Sequence, residues 1–364
     1  MKTPSPPTAY EIAVLPGDGI GVEVIDATLP LLTHLASRFG FTLRTRAHPA
    51  GALHFRDTGV ALPEDTFAAA RDAHAILFGA MGWPEVRYPD GTEIAPQLDL
   101  RDRLGLYAGV RPARSLPGMP GALADPRASA IDLVLVREST EGLFASRGIG
   151  TVENDAIARD TMVITRAGTD RVADFAFRLA AQRRARGRPG TVTCVDKANV
   201  FRSMAFFRKV FDEVASRHPD IGARHHYVDA TALDLVRRPW DFDVLVTENM
   251  FGDILSDLAA GLIGGMGMAP SADVGDHHAL FQPCHGSAPD IAGRGRANPT
   301  ATILSAVLML DWLADRYADA RLSQAARALE SAVDSAFAGG ALRPFEVGGT
   351  DGTVAIREAV RAGL

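Results

Sequence analysis

The stretch Ile12-Ala13-Val14-Leu15-Pro16-Gly17-Asp18-Gly19-Ile20-Gly21 places a short apolar strand directly before a glycine-rich turn. A helical pattern follows, because apolar residues recur three and four positions apart at Val24, Ile25, Leu29, Leu32 and Leu35. The turn has the form G-x-G-x-G, one residue shorter than the dinucleotide-binding fingerprint, and no acidic residue ends a second strand about 20 residues later. We therefore predict a tight strand-to-helix turn near a ligand rather than a Rossmann site.

The same order of strand, loop and helix recurs along the chain. Further apolar β-type runs are predicted at 41–46, 75–78, 131–136, 192–195 and 244–247. Amphipathic helices are predicted between them, including 169–186, 201–217 and 300–317. This alternation predicts an α/β architecture in which ligands bind at the carboxyl ends of strands.

Length and composition limit the classes of function. With 364 residues the chain exceeds the usual size of one domain, so two domains are expected. A net charge of −6 indicates no general affinity for nucleic acid or anionic membranes. Two cysteines, Cys194 and Cys284, form no disulfide framework, and no apolar run reaches the roughly 20 residues that span a bilayer. We expect a cytoplasmic protein with neither nucleic acid nor membrane as a partner.

The segment Phe251-Gly252-Asp253-Ile254-Leu255-Ser256-Asp257 places two acids four residues apart. On a helix this spacing puts both carboxylates on one face, about one turn apart. Like charges that close are unfavourable unless a cation lies between them, and carboxylate oxygens are preferred ligands of Mg²⁺ and Mn²⁺. Asp229 lies upstream of this segment. The alternative is a solvated first helical turn, where the helix dipole favours acids.

Three arginines and one lysine are candidates for binding an acidic substrate. Arg137 directly follows the strand predicted at 131–136, and Arg101 and Arg111 lie upstream of it. Guanidinium groups bind carboxylates through two parallel hydrogen bonds, so three converging groups would hold a polycarboxylate. Lys197 follows the strand 192–195, where burial can make a lysine neutral enough to act as a base. Taken singly, such arginines are more often structural ion-pair partners, and such a lysine more often lies at the surface.

The segment His285-Gly286-Ser287-Ala288-Pro289-Asp290-Ile291-Ala292-Gly293 is a loop of mostly small residues that leads into the helix predicted at 300–317. Small residues let the backbone approach phosphates and adenine closely. Asp290 is a suitable acceptor for the hydroxyl groups of a ribose.

Together these segments resemble the β-decarboxylating dehydrogenases, which include isopropylmalate, isocitrate, homoisocitrate and tartrate/D-malate dehydrogenases. The resemblance runs from about Glu11 to Ala314 and is most specific at 195–200, 249–258 and 285–300. It is greatest with the 3-isopropylmalate dehydrogenase branch. It implies an α/β fold of the isopropylmalate dehydrogenase type, with two domains that share a mixed sheet, rather than a standard Rossmann fold.

The resemblance also implies how the chain is divided. Residues 1–106 and 264–364 would form a discontinuous cofactor-binding domain, and residues 107–263 the domain for substrate, metal and dimerisation. An arm near 148–166 would clasp a second chain, so that a homodimer shares its active sites.

The family's roles carry over to matching positions. The catalytic residues would be Lys197 and Asp229. The substrate, a hydroxy-dicarboxylate or hydroxy-tricarboxylate, would be bound by Arg101, Arg111, Arg137, Asn199, Gln97 and Leu98. Mg²⁺ or Mn²⁺ would be bound by Asp253, Asp257 and Asp229, the last donated by the other subunit. NAD would be bound by His285, Gly286, Ser287, Ala288, Asp290, Ile291 and Asn298.

The implied reaction is oxidation and β-decarboxylation of a (2R)-malate-type substrate, such as 3-isopropylmalate or a related 3-substituted malate, tartrate or D-malate. Lys197 would take the proton of the C2 hydroxyl while hydride passes to NAD, and the metal would act as a Lewis acid. Asp290 followed by Ile291 matches the NAD-using form, because a carboxylate repels a 2′-phosphate and accepts a hydrogen bond from a 2′-hydroxyl.

Two positions depart from the family pattern. Phe144 stands where the family usually has a Tyr that protonates C3, and Phe has no proton to donate. Gln282 replaces the usual Glu before Pro-x-His-Gly, which removes a charge near the nicotinamide end. Two alternatives therefore stay open: a 2-hydroxyacid dehydrogenase that does not decarboxylate, and a weakly catalytic regulatory homologue.

The residues before Arg101 match neither main substrate class. Isopropylmalate enzymes have two leucines at the positions of Gln97 and Leu98, and isocitrate enzymes have Ser and Asn at those of Ala95 and Gln97. A buried amide that faces an isopropyl group would be left unpaired, at a cost of roughly 1–3 kcal/mol. We expect a malate with a small or partly polar C3 substituent, such as D-malate or tartrate.

Overall fold

The computed structural model describes residues 4–364, so residues 1–3 of the predicted cofactor domain lie outside the described residues. A ten-stranded mixed sheet forms the centre, in the order β2-β1-β3-β12-β11-β4-β5-β10-β8-β9. Its strands are β1 (Tyr10–Gly17), β2 (Leu43–Ala47), β3 (Ala75–Ala80), β4 (Ala108–Arg114), β5 (Asp132–Glu138), β8 (Thr191–Asp196), β9 (Gly222–Tyr227), β10 (Val244–Thr247), β11 (Pro270–Val274) and β12 (Ala279–Pro283).

Helices cover the sheet and pack their apolar faces on it. They are α1 (Ile20–Phe39), α2 (Ala52–Thr58), α3 (Glu64–Asp72), α4 (Pro96–Leu104), α5 (Arg166–Ala185), α6 (Arg202–Ala215), α7 (Val228–Arg237), α8 (Asn249–Leu262), α9 (Thr300–Tyr317), α10 (Ala320–Ala338) and α11 (Thr353–Ala362). Each strand and helix predicted from the sequence is present, with ends that differ by a few residues. The α/β class is confirmed.

The sheet has two halves that differ in strand direction. β2, β1, β3 and β12 are parallel to one another, and so are β5, β10, β8 and β9. The antiparallel pairs β12–β11, β11–β4 and β4–β5 join the halves at the centre. Strands from 1–106 and 264–364 lie on one side of this junction, and strands from 107–263 on the other. The division into two domains at those bounds stays a prediction.

Helix α1 is the one described helix with the length and apolar composition of a membrane span, and its mean hydropathy is 1.2. One of its faces is buried in the core of the protein, where Val24, Leu31 and Leu35 are fully enclosed. The exposed face carries Asp26, Thr33 and Ser37. This pattern is typical of an amphipathic helix that packs on a sheet.

A short antiparallel ribbon of two strands lies apart from the main sheet. It consists of β6 (Thr151–Glu153) and β7 (Ile157–Arg159), whose residues are all exposed. Ile149 and Val152 are 74% and 71% exposed, which is unusual for aliphatic side chains beside an open strand edge. This ribbon falls within the arm predicted near 148–166, and its role in clasping a second chain stays a prediction.

Candidate active site

The centre of the sheet brings three charged strand positions onto one face. Asp273 in β11 lies opposite Gly109 in β4, and Gly109 lies opposite Arg137 in β5. Arg111 is two residues further along β4, so its side chain leaves the same face. A Cβ at position 109 would lie only 2.7 Å from Ser139 Oγ and 3.4 Å from Asp273 Oδ1. Gly109 therefore leaves room for the charged side chains around it.

Arg101 and Arg111 share one buried carboxylate. Arg101 Nε lies 3.0 Å from Asp273 Oδ2, although its N–H is not directed at that oxygen, and Arg111 Nη2 lies 3.8 Å from Asp273 Oδ1. Arg101 stands on α4 and Arg111 on β4, and both side chains are less than a tenth exposed. Arg111 also donates to Cys284 Sγ at 3.5 Å. The two arginines thus converge on the same carboxylate.

Arg137 completes the set at the end of β5. Its Nε donates to Asn249 Oδ1 at 2.8 Å, and its Nη1 pairs with Asp253 on α8. Burial and repulsion from Arg101 lower the pKa of Arg137 to about 10, so it stays charged at neutral pH. The ring of Phe144 lies 4.9 Å from the guanidinium carbon and covers it on one side.

Helix α8 carries the two predicted metal-binding acids. It begins after Glu248, whose buried carboxylate accepts hydrogen bonds from the backbone N–H groups of Met250 and Phe251 and caps the helix. Asp253 and Asp257 follow one turn apart and are exposed. Partial burial and the nearby Asp253 raise the pKa of Asp257. This repulsion is what a bound cation would relieve.

Lys197 and Asp229 form a separate pair at the β8–β9 side of the sheet. Lys197 Nζ lies 2.5 Å from Asp229 Oδ1, and this hydrogen bond lowers the pKa of Asp229. Asn199 lies exposed in the turn after β8. Asp196 fixes that turn, because its fully buried carboxylate accepts two hydrogen bonds from Arg208 at 2.7 and 2.8 Å.

The predicted metal ligands divide into two groups within one chain. Asp229 follows β9, which is three strands away from β5, so these two strands lie roughly 14 Å apart in the sheet. Across residues 4–364, no three His, Cys, Asp or Glu side chains come together as a metal-binding cluster. Asp253 and Asp257 supply the oxygen donors that Mg²⁺ or Mn²⁺ prefers. Asp229 of another chain as their third ligand stays a prediction.

The glycine-rich turn after β1 packs against the loop after β12. Ile20 N donates to Ser287 O at 2.8 Å, and Ser287 Oγ donates to Gly82 O at 2.5 Å. Gly19 has a φ of +56°, and a Cβ there would lie 2.0 Å from Ser287 O, so only glycine fits. The turn was predicted to lie near a ligand, and it lies against the predicted cofactor loop.

The cofactor loop leaves several groups available to a ligand. His285 Nδ1 contacts Gly286 O at 2.9 Å, whereas its buried Nε2 has no partner within the described residues. Burial lowers the pKa of His285, which favours the neutral ring. Asp290 is exposed, Ile291 is half-buried, and Ala288 has a left-handed φ of +37°. An unpaired imidazole beside small residues and an exposed carboxylate fits a dinucleotide.

Asn298 differs from the rest of this loop, because both ends of its amide have partners within the chain. Its Oδ1 accepts from the backbone N–H of Thr300, the first residue of α9, at 3.1 Å, and its Nδ2 donates to Glu346 Oε1 at 2.9 Å. Its part in cofactor binding stays a prediction.

Helix α4 places the candidate specificity residues beside Arg101. Gln97 is one turn before Arg101, and its Oε1 is buried without a hydrogen-bond partner. Leu98 faces a cavity of about 450 Å³ that also contacts Ser139 and Phe144. An unpaired buried acceptor costs roughly 1–3 kcal/mol unless a ligand donates to it.

Sequence reasoning missed three acids that hold the site in place: Glu248, Asp196 and Asp273. Glu248 stands just after a strand, and Asp196 stands at the end of one. Both positions are a signal for a buried structural acid. Asp273 lies within a strand of small and polar residues that was not predicted, so no local pattern pointed to it.

Comparison with known proteins supports the resemblance. Residues 11–360 match the family model described as isocitrate/isopropylmalate dehydrogenase. The 3-isopropylmalate/3-methylmalate dehydrogenase of Methanocaldococcus jannaschii is 43% identical over 96% of this chain and 98% of that protein. The 3-isopropylmalate dehydrogenase of Moorella thermoacetica is 42% identical over 98% of this chain and 99% of that protein.

A solved structure agrees with the sequence relatives. The isocitrate dehydrogenase of Methylococcus capsulatus superposes with a TM-score of 0.84 at 37% identity, over 97% of this chain and 99% of that chain. The resemblance and the fold predicted from the motifs are confirmed.

Proposed function

The chain belongs to the isocitrate/isopropylmalate dehydrogenase family and is a β-decarboxylating dehydrogenase, and we propose that it oxidises a (2R)-malate-type substrate with NAD and Mg²⁺ or Mn²⁺. One observation carries this proposal. Three buried guanidinium groups, those of Arg101, Arg111 and Arg137, converge beside the two acids of α8. Buried positive charges without enough acidic partners fit a dicarboxylate ligand.

The chain's own residues would divide the work as follows. The three arginines bind and orient the substrate carboxylates, and Asp253 and Asp257 hold the cation. Lys197 would accept the proton of the C2 hydroxyl as the neutral amine, and Asp229, whose Oδ1 lies 2.5 Å from Lys197 Nζ, would keep that side chain oriented. When bound, the cation supplies Lewis-acid stabilisation of negative charge, and NAD accepts hydride.

We propose a small or polar substituent at C3, as in D-malate or tartrate. The buried Oε1 of Gln97 lacks a donor, and a substrate hydroxyl would supply one. The Methanocaldococcus jannaschii relative is named for both 3-isopropylmalate and 3-methylmalate, so the size of this substituent varies among relatives.

A comparison of turnover tests this choice. The purified protein is assayed for NADH formation with D-malate, tartrate, 3-isopropylmalate and isocitrate, each with Mg²⁺ and with Mn²⁺. We expect the highest kcat/KM with D-malate or tartrate. A clear preference for 3-isopropylmalate would refute the assignment of Gln97.

Phe144 favours a second candidate function, oxidation without decarboxylation, because its side chain has no proton to donate to C3. An oxidation without decarboxylation yields NADH without CO₂, so CO₂ and NADH are measured in the same reaction. Equal amounts support β-decarboxylation, and NADH alone supports the second candidate. A weakly catalytic regulatory homologue would give no measurable NADH from the purified protein.

We also propose a cytoplasmic homodimer whose active sites combine Asp253 and Asp257 of one chain with Lys197 and Asp229 of the other. Within residues 4–364 of one chain no third acid joins Asp253 and Asp257 as a metal-binding cluster, which supports this arrangement. Coexpression of Lys197→Met and Asp253→Asn chains tests it. Random pairing makes half of the dimers mixed, and each mixed dimer has one intact site, so about a quarter of the wild-type rate should return. A site within one chain predicts no return.

A further inference from the structure

Asp273 is a buried carboxylate in the one part of the site where the substrate's own carboxylates are expected. It is completely enclosed in β11, and it faces Arg101 and Arg111 at 3.0 and 3.8 Å. Among residues 4–364, its Oδ1 has no hydrogen-bond partner, and neither has the Nε of either arginine. These groups therefore attract one another without the geometry of a closed, fully hydrogen-bonded ion pair.

Gln282 is the side chain that donates a hydrogen bond to this carboxylate. Its Nε2 donates to Asp273 Oδ2 at 2.9 Å across the β11–β12 pair. Members of the family that this chain resembles usually have Glu at the position of Gln282. The negative charge missing from β12 is therefore present on the neighbouring strand, within hydrogen-bond distance of the amide that replaces it.

The charges around the two arginines determine how many substrate carboxylates they can accept. Arg101 and Arg111 carry two positive charges, and Asp273 offsets one of them inside a region that excludes water. Coulomb interactions are strong at such distances where the effective dielectric constant is low. A tricarboxylate ligand then has one carboxylate for which Arg101 and Arg111 offer no positive charge.

We infer that Asp273 is a positioning residue that holds Arg101 and Arg111 and limits the site to dicarboxylic rather than tricarboxylic substrates. The inference rests on the proposed function only because it assumes that the ligand is a polycarboxylate. Asp273 stabilises the two guanidinium groups when no ligand is bound and competes with substrate carboxylates for them. Removing its charge should weaken the unliganded protein and strengthen the binding of anions.

The test compares wild type with Asp273→Asn, which keeps the shape and removes the charge. Thermal unfolding is measured with Mg²⁺ alone, with added D-malate and with added isocitrate, so that binding is detected without turnover. We expect a lower melting temperature without ligand and a larger stabilisation by isocitrate. In kinetics, the kcat/KM ratio of isocitrate to D-malate should rise about tenfold, which corresponds to about 1.4 kcal/mol.

Two further variants separate the effect of charge from that of packing. The double variant Asp273→Asn with Gln282→Glu returns the carboxylate to β12 and should restore the wild-type kcat/KM ratio of isocitrate to D-malate. Asp273→Ser is a second substitution that removes the charge. A lower melting temperature with an unchanged response to both acids would show a packing role only and overturn the inference. The inference would also be overturned if neither D-malate nor isocitrate stabilised any of the variants. Absence of NADH with all acids would instead reject the proposed function, while the unfolding data still decide the role of Asp273.

Discussion

Gly252→Ala tests whether the contact between α8 and β5 sets the position of the metal-binding acids. A Cβ at position 252 would lie 2.7 Å from Cβ and Cγ of Arg137 and 3.2 Å from its Cα. Carbon atoms normally pack about 3.5–4.0 Å apart. Helix α8 must therefore move away from β5 by roughly 1 Å, or Arg137 must change its rotamer, and either change displaces Asp253 from the guanidinium group.

The expected loss of activity is larger than the loss of stability. Overpacking costs about 1–3 kcal/mol, and the higher helix propensity of Ala offsets about 1 kcal/mol of that cost. The free energy of unfolding should therefore fall by no more than about 2 kcal/mol. A displacement of about 1 Å at reacting groups lowers the rate roughly a hundredfold. Urea unfolding and NADH formation measure the two quantities on the same preparation.

Gly261→Ala is the matched control in the same helix. Gly261 is exposed, and a Cβ there would meet no atom within 4 Å. Ala should raise the free energy of unfolding by about 0.5–1 kcal/mol and leave the rate unchanged. If the folded Gly252→Ala protein keeps the wild-type rate, the position of α8 on β5 does not control the chemistry, and the reasoning is wrong.

Three further substitutions test other parts of the site. Phe144→Tyr restores a proton donor and should raise the yield of CO₂ per NADH, measured by trapping both products. Asp196→Asn breaks the buried pair with Arg208, so the free energy of unfolding should fall by about 3 kcal/mol, and activity should fall further because the turn of Lys197 loosens. Gln97→Leu removes an unpaired buried acceptor; stability should rise by about 1 kcal/mol, and the kcat/KM ratio of 3-isopropylmalate to D-malate should rise.

The parts of the fold that the sequence predicted are those with strong local periodicity. The strand predicted at 244–247 and the helix predicted at 300–317 match β10 and α9 at both ends. The spacing of the acids at 253 and 257 indicated that they would share one face if they lay on a helix, and α8 contains both. Periodicity reports which face of an element is buried, so it predicts elements well where one face packs on the core.

Contacts between distant segments could not be predicted in this way. β11 was not predicted, because Pro270–Val274 contains small and polar residues that satisfy no strand pattern, yet every residue in it is buried. Arg183 stands beside another basic residue in the last turn of α5. It pairs with the buried Asp243 at 2.6 Å and with Asp132 at 3.1 Å. Its partners are 60 and 51 residues away, so no local pattern indicates them.

The pair of Gln282 and Asp273 shows that the charge of a site depends on which side chains are neighbours in space, and not only on the residue type at each sequence position. Along the chain, Gln282 indicates a lost charge, since the family usually has Glu there, and Asp273 carries no signal because its strand was not predicted. The antiparallel pairing of β11 with β12 places Asp273 Oδ2 2.9 Å from Gln282 Nε2, so the carboxylate is displaced by one strand rather than absent. Electrostatic interactions depend on distance and burial, not on which strand carries the charge. The charge of this pocket therefore follows from the sheet register, which local sequence patterns do not determine.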